Sequence, residues 1–164
     1  MRILGIDPGS ITTGYGVVDN KKGKLFCVSD GSISTVKKSP LQERLSIVFD
    51  LLCNIIADYK PDAVAVEDIF FAKNVRSAIM LGQARGVALL CAGKANLPVF
   101  EYSPAKVKQS IVGYGNATKE QVQRMVKTLL KMPVIPKADA ADALAVAICH
   151  IHHNGRQWAR GNRR

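Results

Sequence analysis

The sequence has few acidic residues where its basic residues are densest. Residues 1–102 carry 12 Lys or Arg and 10 Asp or Glu, whereas residues 103–164 carry 11 basic and only 3 acidic residues. The formal net charge of +10 is typical of a protein that binds a polyanion, and nucleic acid is the first candidate. Solubility alone is the simpler alternative. Two of the three acidic residues in this segment are Asp139 and Asp142, so these carboxylates lie in otherwise basic surroundings.

The sequence also lacks paired cysteines, a long apolar run and an N-terminal signal. Its four cysteines are scattered without the spacing of a zinc site or a disulfide framework, which predicts reduced thiols and a cytoplasmic location. We expect no membrane-spanning segment and no signal peptide. The length suits one domain with its own core over residues 1–153, followed by a basic, flexible C-terminal tail over residues 154–164.

The first apolar run ends in an aspartate. Ile3 to Ile6 predict a strand buried on both faces, and Asp7 follows directly, before Pro8 and Gly9 turn the chain. A carboxylate there needs a partner or a metal. Asp-Pro-Gly is also a common turn that caps its own backbone, and actin-like ATPases open with a similar phosphate loop. The stretch alone leaves these three interpretations open.

A second acid ends a second buried strand. The chain predicts a hairpin up to Ser29, then a helix capped by Ser39 and ended by Pro61, then a strand from Ala63 to Val66 that Glu67 closes. A strand, a helix and a strand imply a right-handed crossover with parallel pairing. If the two strands are neighbours, Asp7 and Glu67 lie side by side at the edge where open α/β sheets bind ligands.

A loop with aromatic and basic residues follows Glu67. Phe70 and Phe71 either pack under the loop or stack on bases beside the site, and Lys73 in the same loop is a predicted DNA contact. A helix from Val75 to about Ala95 is rich in small residues, including Gly82 and Gly86. Such a helix either packs flat on the sheet or meets a second copy of itself.

The last third predicts basic helices. Lys106 and Lys108 lie on one helix, and Thr118 caps the next, which begins with Lys119. A final helix from Ala138 to about His152 places Asp139 and Asp142 on one face of its first turn. Small residues around them allow that turn to approach the sheet. The histidines His150, His152 and His153 lack partners at metal-ligand spacing and are assigned to a solvated basic end of the chain.

Four carboxylates from three elements are therefore predicted to converge: Asp7, Glu67, Asp139 and Asp142. Like charges at about 4 Å repel by about 1–4 kcal/mol per pair, so such a cluster is unstable unless protons or cations neutralise it. Hard oxygen ligands select Mg²⁺ or Mn²⁺. Two such ions would activate a water and stabilise the leaving oxygen of a phosphodiester.

Four blocks of the sequence closely resemble the RuvC crossover junction endodeoxyribonucleases of bacteria. They are Ile3-Leu4-Gly5-Ile6-Asp7-Pro8-Gly9, Val66-Glu67-Asp68-Ile69-Phe70, Leu81-Gly82-Gln83-Ala84-Arg85-Gly86 and Ala138-Asp139-Ala140-Ala141-Asp142-Ala143. The resemblance runs from Met1 to about His150. It implies an α/β, RNase H-like fold, in which a mixed five-stranded sheet (three antiparallel N-terminal strands plus parallel strands) carries helices on both faces.

The resemblance also implies an activity. Family members are homodimers that nick two opposed strands of a four-way (Holliday) DNA junction, with two Mg²⁺ ions per site and Mn²⁺ as a substitute. The four acids match the family's metal ligands, Lys108 and Lys119 its DNA-contacting lysines, and Phe70 its junction-core aromatic. Docking to the branch-migration proteins RuvA and RuvB is implied too. The remaining alternative is a non-catalytic junction-binding module, which four carboxylates facing phosphates would disfavour.

Overall fold

The computed structural model describes residues 1–9, 11–68 and 75–161, the last seven of these by their backbone alone. The predictions for Phe70, Phe71 and Lys73 lie outside the described residues. The tail from residue 162 onward lies outside them as well.

One mixed sheet of five strands is the centre of the fold, in the order β3-β2-β1-β4-β5. The strands are β1 (Arg2–Asp7), β2 (Thr12–Lys21), β3 (Lys24–Ser34), β4 (Ala63–Glu67) and β5 (Val99–Tyr102). The first three pair antiparallel, whereas β4 pairs parallel with both β1 and β5. The predicted hairpin, the crossover and the mixed RNase H-like sheet are confirmed.

Helices cover both faces of the sheet. The elements α1 (Leu41–Tyr59) and α2 (Val75–Lys94) pack on one face, over a core that includes Leu4, Val64 and Val66. The elements α3 (Pro104–Val112), α4 (Lys119–Leu129) and α5 (Ala138–Gly161) belong to the other core, with Ile3, Ala65 and Val18. The two sets alternate along β1 and β4, as expected for strands buried on both sides.

Glycines in β1 and β2 allow α5 to lie against the sheet backbone. A Cβ at Gly5 would collide with the Ala143 carbonyl oxygen, and one at Gly14 with that of Asp139. At Gly16 it would meet the Leu144 side chain and backbone nitrogen. Glycine is needed wherever two backbones approach this closely. The first turns of α5, with their two aspartates, are therefore set directly on β1 and β2.

Three local expectations were wrong. The N-cap of α1 is Pro40, with no side-chain cap bond, so Ser39 does not cap it. The helix α5 continues to Gly161 rather than ending near His152. His150 is fully buried rather than solvated: its Nδ1 lies 2.8 Å from the Tyr102 hydroxyl, and its Nε2 lies 2.8 Å from Asn154 Nδ2. This pairing satisfies a polar ring that would otherwise be costly to bury.

The membrane expectation also needs correction, because α2 is long and apolar enough to cross a membrane by length and composition alone. It is the one such helix in the part of the chain that the structure describes. Yet α2 buries Ala84, Ala88, Cys91 and Ala92 against the domain, while Arg85 contacts Glu101 at 2.5 Å and Asp68 at 3.7 Å. Through these contacts α2 packs as part of the domain.

Candidate active site

The two strand-end carboxylates lie side by side, as predicted. Ile6 of β1 pairs with Val66 of β4, so Asp7 and Glu67 follow at the same edge of the sheet. The Asp7 side chain raises the pKa of Glu67, while their direct interaction lowers that of Asp7.

A third carboxylate and a lysine reach the same place from the helical layer. Asp142 lies one turn into α5, and its Oδ2 is 3.4 Å from the Lys119 Nζ. Lys119 is the first residue of α4, whose start is fixed by a capping box between Thr118 and Gln121. The capping residue Thr118 was predicted from the sequence.

These groups line one cavity of about 250 Å³. Its polar lining is Asp7, Glu67, Asp142, Lys108 and Lys119, and its apolar walls include Val107, Val122 and Ala145. Asp139 is half-buried on the preceding turn of α5 and is not part of this lining. It still acts on the cavity electrostatically, because its charge raises the pKa values of Asp7 and Asp142.

Burial and mutual repulsion make these carboxyls weak acids. Burial is the main cause that raises the pKa of Glu67 to about 8, followed by the charges of Asp7 and Asp142. Burial and then Asp142 raise the pKa of Asp7 to about 6, with Lys119 and the bond from Glu67 opposing. Burial raises the pKa of Asp142 despite the Lys119 contact.

The donor set has the chemistry of a divalent-cation site. Three carboxyls in one cavity repel unless protons or cations neutralise them, and carboxylate oxygens are the ligands that Mg²⁺ and Mn²⁺ prefer. The Lys119 ammonium beside Asp142 provides part of that neutralisation. Within the described residues, no three His, Cys, Asp or Glu side chains are arranged closely enough to hold a metal ion. The carboxylate set fits such ions by the chemistry of its donor oxygens.

The predicted DNA-binding lysines fall into two places. Lys108 and Lys119 line the acidic cavity. Lys106, on the same helix as Lys108, instead has its Nζ 5.3 Å from the centre of the Tyr102 ring and lines a separate groove with His152 and His153. Phe70 and Lys73 lie outside the described residues.

Comparison with known proteins gives one family. The model of the family "Crossover junction endodeoxyribonuclease RuvC" matches residues 3–150. The RuvC protein of Trichlorobacter lovleyi is 55% identical over 152 residues, covering 93% of this chain and 85% of its own. That of Geobacter metallireducens is 53% identical over 155 residues, covering 94% of each chain.

A solved structure agrees with these relatives along nearly the whole fold. The Thermus thermophilus RuvC in complex with a Holliday junction substrate superimposes with a TM-score of 0.91 at 34% identity, over 96% of each chain. The similarity therefore includes all five strands and the helices that carry the acidic cavity.

Proposed function

Because this chain belongs to the RuvC family of crossover junction endodeoxyribonucleases, we propose that its acidic cavity cleaves one phosphodiester bond of a four-way DNA junction. The observation that carries this proposal is the convergence of Asp7, Glu67 and Asp142 with Lys119 in one cavity. A module that only bound DNA would gain nothing from three half-buried carboxyls facing phosphates. The repulsion between these carboxyls and their burial both destabilise the fold. A divalent-metal-dependent nuclease needs such a cluster for catalysis.

Asp7 and Glu67, with Asp142 and Asp139 from α5, would hold Mg²⁺, two ions per site, with Mn²⁺ as a substitute. When bound, such ions activate a water and stabilise the leaving oxygen of a phosphodiester. Asp7 lies at the centre of the charge interactions, since Asp142, Lys119, Glu67 and Asp139 all shift its pKa. We therefore assign it the shared position among the ligands.

Lys119 and Lys108 position the scissile phosphate in this proposal. The Lys119 side chain is 72% exposed although its ammonium contacts Asp142, so it can exchange that contact for a phosphate oxygen without unfolding α4. Lys108 lines the same cavity from α3. Two ammonium groups beside the reacting phosphorus stabilise negative charge that develops in the transition state.

Two identical sites are needed for paired nicks on opposed strands, and a C2 homodimer would provide them. The face of α2 that points away from the sheet supports this arrangement. It carries Gly82 and Gly86, where an added Cβ would meet nothing within 4 Å, and it exposes Ile79 and Leu90. We assign this face to the partner protomer. Sedimentation of the protein as a monomer, both free and on a junction, would contradict the dimer.

Two further expectations come from the family alone. Docking to the RuvA and RuvB branch-migration proteins and a cytoplasmic location follow from the family's role in recombination, and both are proposals for this chain. A pull-down of this protein with its own RuvA and RuvB, on and off junction DNA, tests the first.

A labelled four-way junction tests the main proposal. We expect paired symmetric nicks in Mg²⁺ and none in EDTA, and we expect Asp7→Asn to remove nicking while binding stays or strengthens. The junction-binding module is the alternative, and it predicts binding without nicks under every metal condition. An Asp7→Asn protein that cleaves near the wild-type rate would end the assignment of Asp7.

A further inference from the structure

A second set of basic side chains lies on the sheet face opposite the acidic cavity. A groove of about 990 Å³ runs between the N-terminal ends of α1 and α2, and Lys37, Arg44 and Arg76 line it together with Ile11 and Leu41. Among its described lining residues none is acidic. The charged side chains of its described lining are thus all basic, whereas the acidic cavity mixes carboxyls and lysines.

Arg44 is an unusual member of this lining because it is 95% buried, with only 5% of its surface exposed. Its Nε donates to the Thr35 hydroxyl oxygen at 3.2 Å, whereas its second terminal nitrogen, Nη2, has no hydrogen-bond partner. No ion pair in the part of the chain that the structure describes includes Arg44.

A buried arginine normally lies against a carboxylate, because an unpaired charged donor is costly. The planar guanidinium binds the oxygens of carboxylates and phosphates with two parallel bonds. The adjoining helix start offers more donors: α1 begins at Leu41 with no side-chain cap, so first-turn N–H groups remain available to an anion. Arg44 and the helix start thus both select for an anionic ligand.

The groove is joined to the active-site edge through Thr35. Its N–H and its hydroxyl both donate to the Ile11 carbonyl oxygen, at 2.9 Å and 3.0 Å. Ile11 lies in the loop that leaves β1 just after Asp7. The acidic cavity and the groove therefore open at the same edge of the sheet, on its two faces, and a nucleic-acid strand crossing that edge would meet both.

We propose that Arg44 and Lys37 bind a backbone phosphate of the substrate strand, and so form a second phosphate site that holds the strand in position while the acidic cavity cleaves it. The inference rests on the proposed function, since it names a positioning site for the same substrate. A DNA phosphate fits better than a carboxylate of a second copy, because Lys37 is exposed and every charged side chain of its described lining is basic.

The test compares Arg44→Gln and Lys37→Ala with a matched control, Lys38→Ala, whose lysine is equally exposed and does not line the groove. Junction affinity is measured in EDTA across a salt series, with thermal unfolding as the check on folding. We expect the two groove variants to lose about tenfold in affinity and about one unit of salt slope. Lys38→Ala should match the wild type.

Phosphate ethylation interference then identifies the contact. Ethylation of one phosphate near the crossover should weaken wild-type binding and have no effect on the Arg44→Gln protein. If Arg44→Gln does not fold, Lys37→Ala decides by the same two measurements.

The inference is overturned if the wild type nicks junctions and the groove variants keep its affinity, its salt slope and its interference pattern. A weakened dimer with an unchanged interference pattern would overturn it in favour of a second copy. A wild type that binds junctions but never nicks them would instead contradict the proposed function.

Discussion

Replacing Glu67 with glutamine should stabilise the metal-free protein, and increasingly so as the pH rises. Burial and the neighbouring charges of Asp7 and Asp142 raise the pKa of Glu67 from 4.5 to about 8. A glutamine amide has nearly the same size and never becomes charged. Removing the ionisable group therefore removes a destabilisation of the folded state that appears only when the pH is high enough for Glu67 to ionise.

The direction follows from linkage between protonation and folding. A carboxyl whose pKa is higher in the folded state stabilises that state at low pH, and this contribution is lost as the pH rises from about 4.5 through about 8. Each tenfold change in proton affinity corresponds to about 1.4 kcal/mol, which sets an upper bound of about 5 kcal/mol. The interaction with Asp7, which also titrates, and partial access of water reduce the expected difference to about 1–3 kcal/mol.

The assay is urea unfolding in EDTA at pH 5, 7 and 9, with Glu43→Gln as the control because Glu43 is exposed on the first turn of α1. The wild type and Glu43→Gln should lose stability together as the pH rises, and Glu67→Gln should lose less. Added Mg²⁺ should stabilise the wild type at pH 8 and have little effect on Glu67→Gln. Parallel pH dependence in the wild type and Glu67→Gln would refute the reasoning about the buried cluster.

Three further predictions concern DNA and symmetry. Lys108→Ala should make the salt dependence of junction binding shallower by about one unit, and an unchanged slope would place the DNA elsewhere. Gly86→Leu should convert the dimer to a monomer without lowering the unfolding temperature of the protomer, since a side chain there meets open space; an intact dimer would exclude this face of α2. Phe70→Ala should slow cleavage of a fully paired junction more than that of one with an unpaired centre, because stacking repays about 1–3 kcal/mol per unstacked base. Equal cleavage defects on both junctions would contradict this stacking role of Phe70. The same pattern of defects in Phe71→Ala would contradict it as well.

The strand-end part of the site could be predicted because its determinants are local. An apolar run that ends in Asp7 and another that ends in Glu67, joined by one helix, leave right-handed parallel pairing as the favoured arrangement, and the structure has it. The start of α4 was equally readable, since Thr118 and Gln121 form a capping box. In each case neighbouring residues carry the whole signal.

Other features depend on contacts between distant residues and could not be predicted. A pattern that assigns apolar residues to the core places Arg44 outside it, yet Arg44 lies on the buried stripe of α1 with Val48, Leu52 and Ile56. His150 looked like part of a basic tail, and its burial is explained by its contacts with Tyr102 and Asn154. Asp139 shared a helix face with Asp142, but one turn of α5 separates it from the cavity lining.

The close contact of α5 with Gly5 and Gly14 determines how the effect of a substitution spreads through the molecule. Where side chains separate two elements, a nearby substitution is absorbed by changes of rotamer. Here backbone meets backbone, so no rotamer exists that could take up a displacement. A substitution beneath α5 would shift Asp139 and Asp142 together, as one rigid piece, relative to Asp7 and Glu67. Substitutions in this core should therefore change the rate of cleavage and leave the affinity for DNA the same.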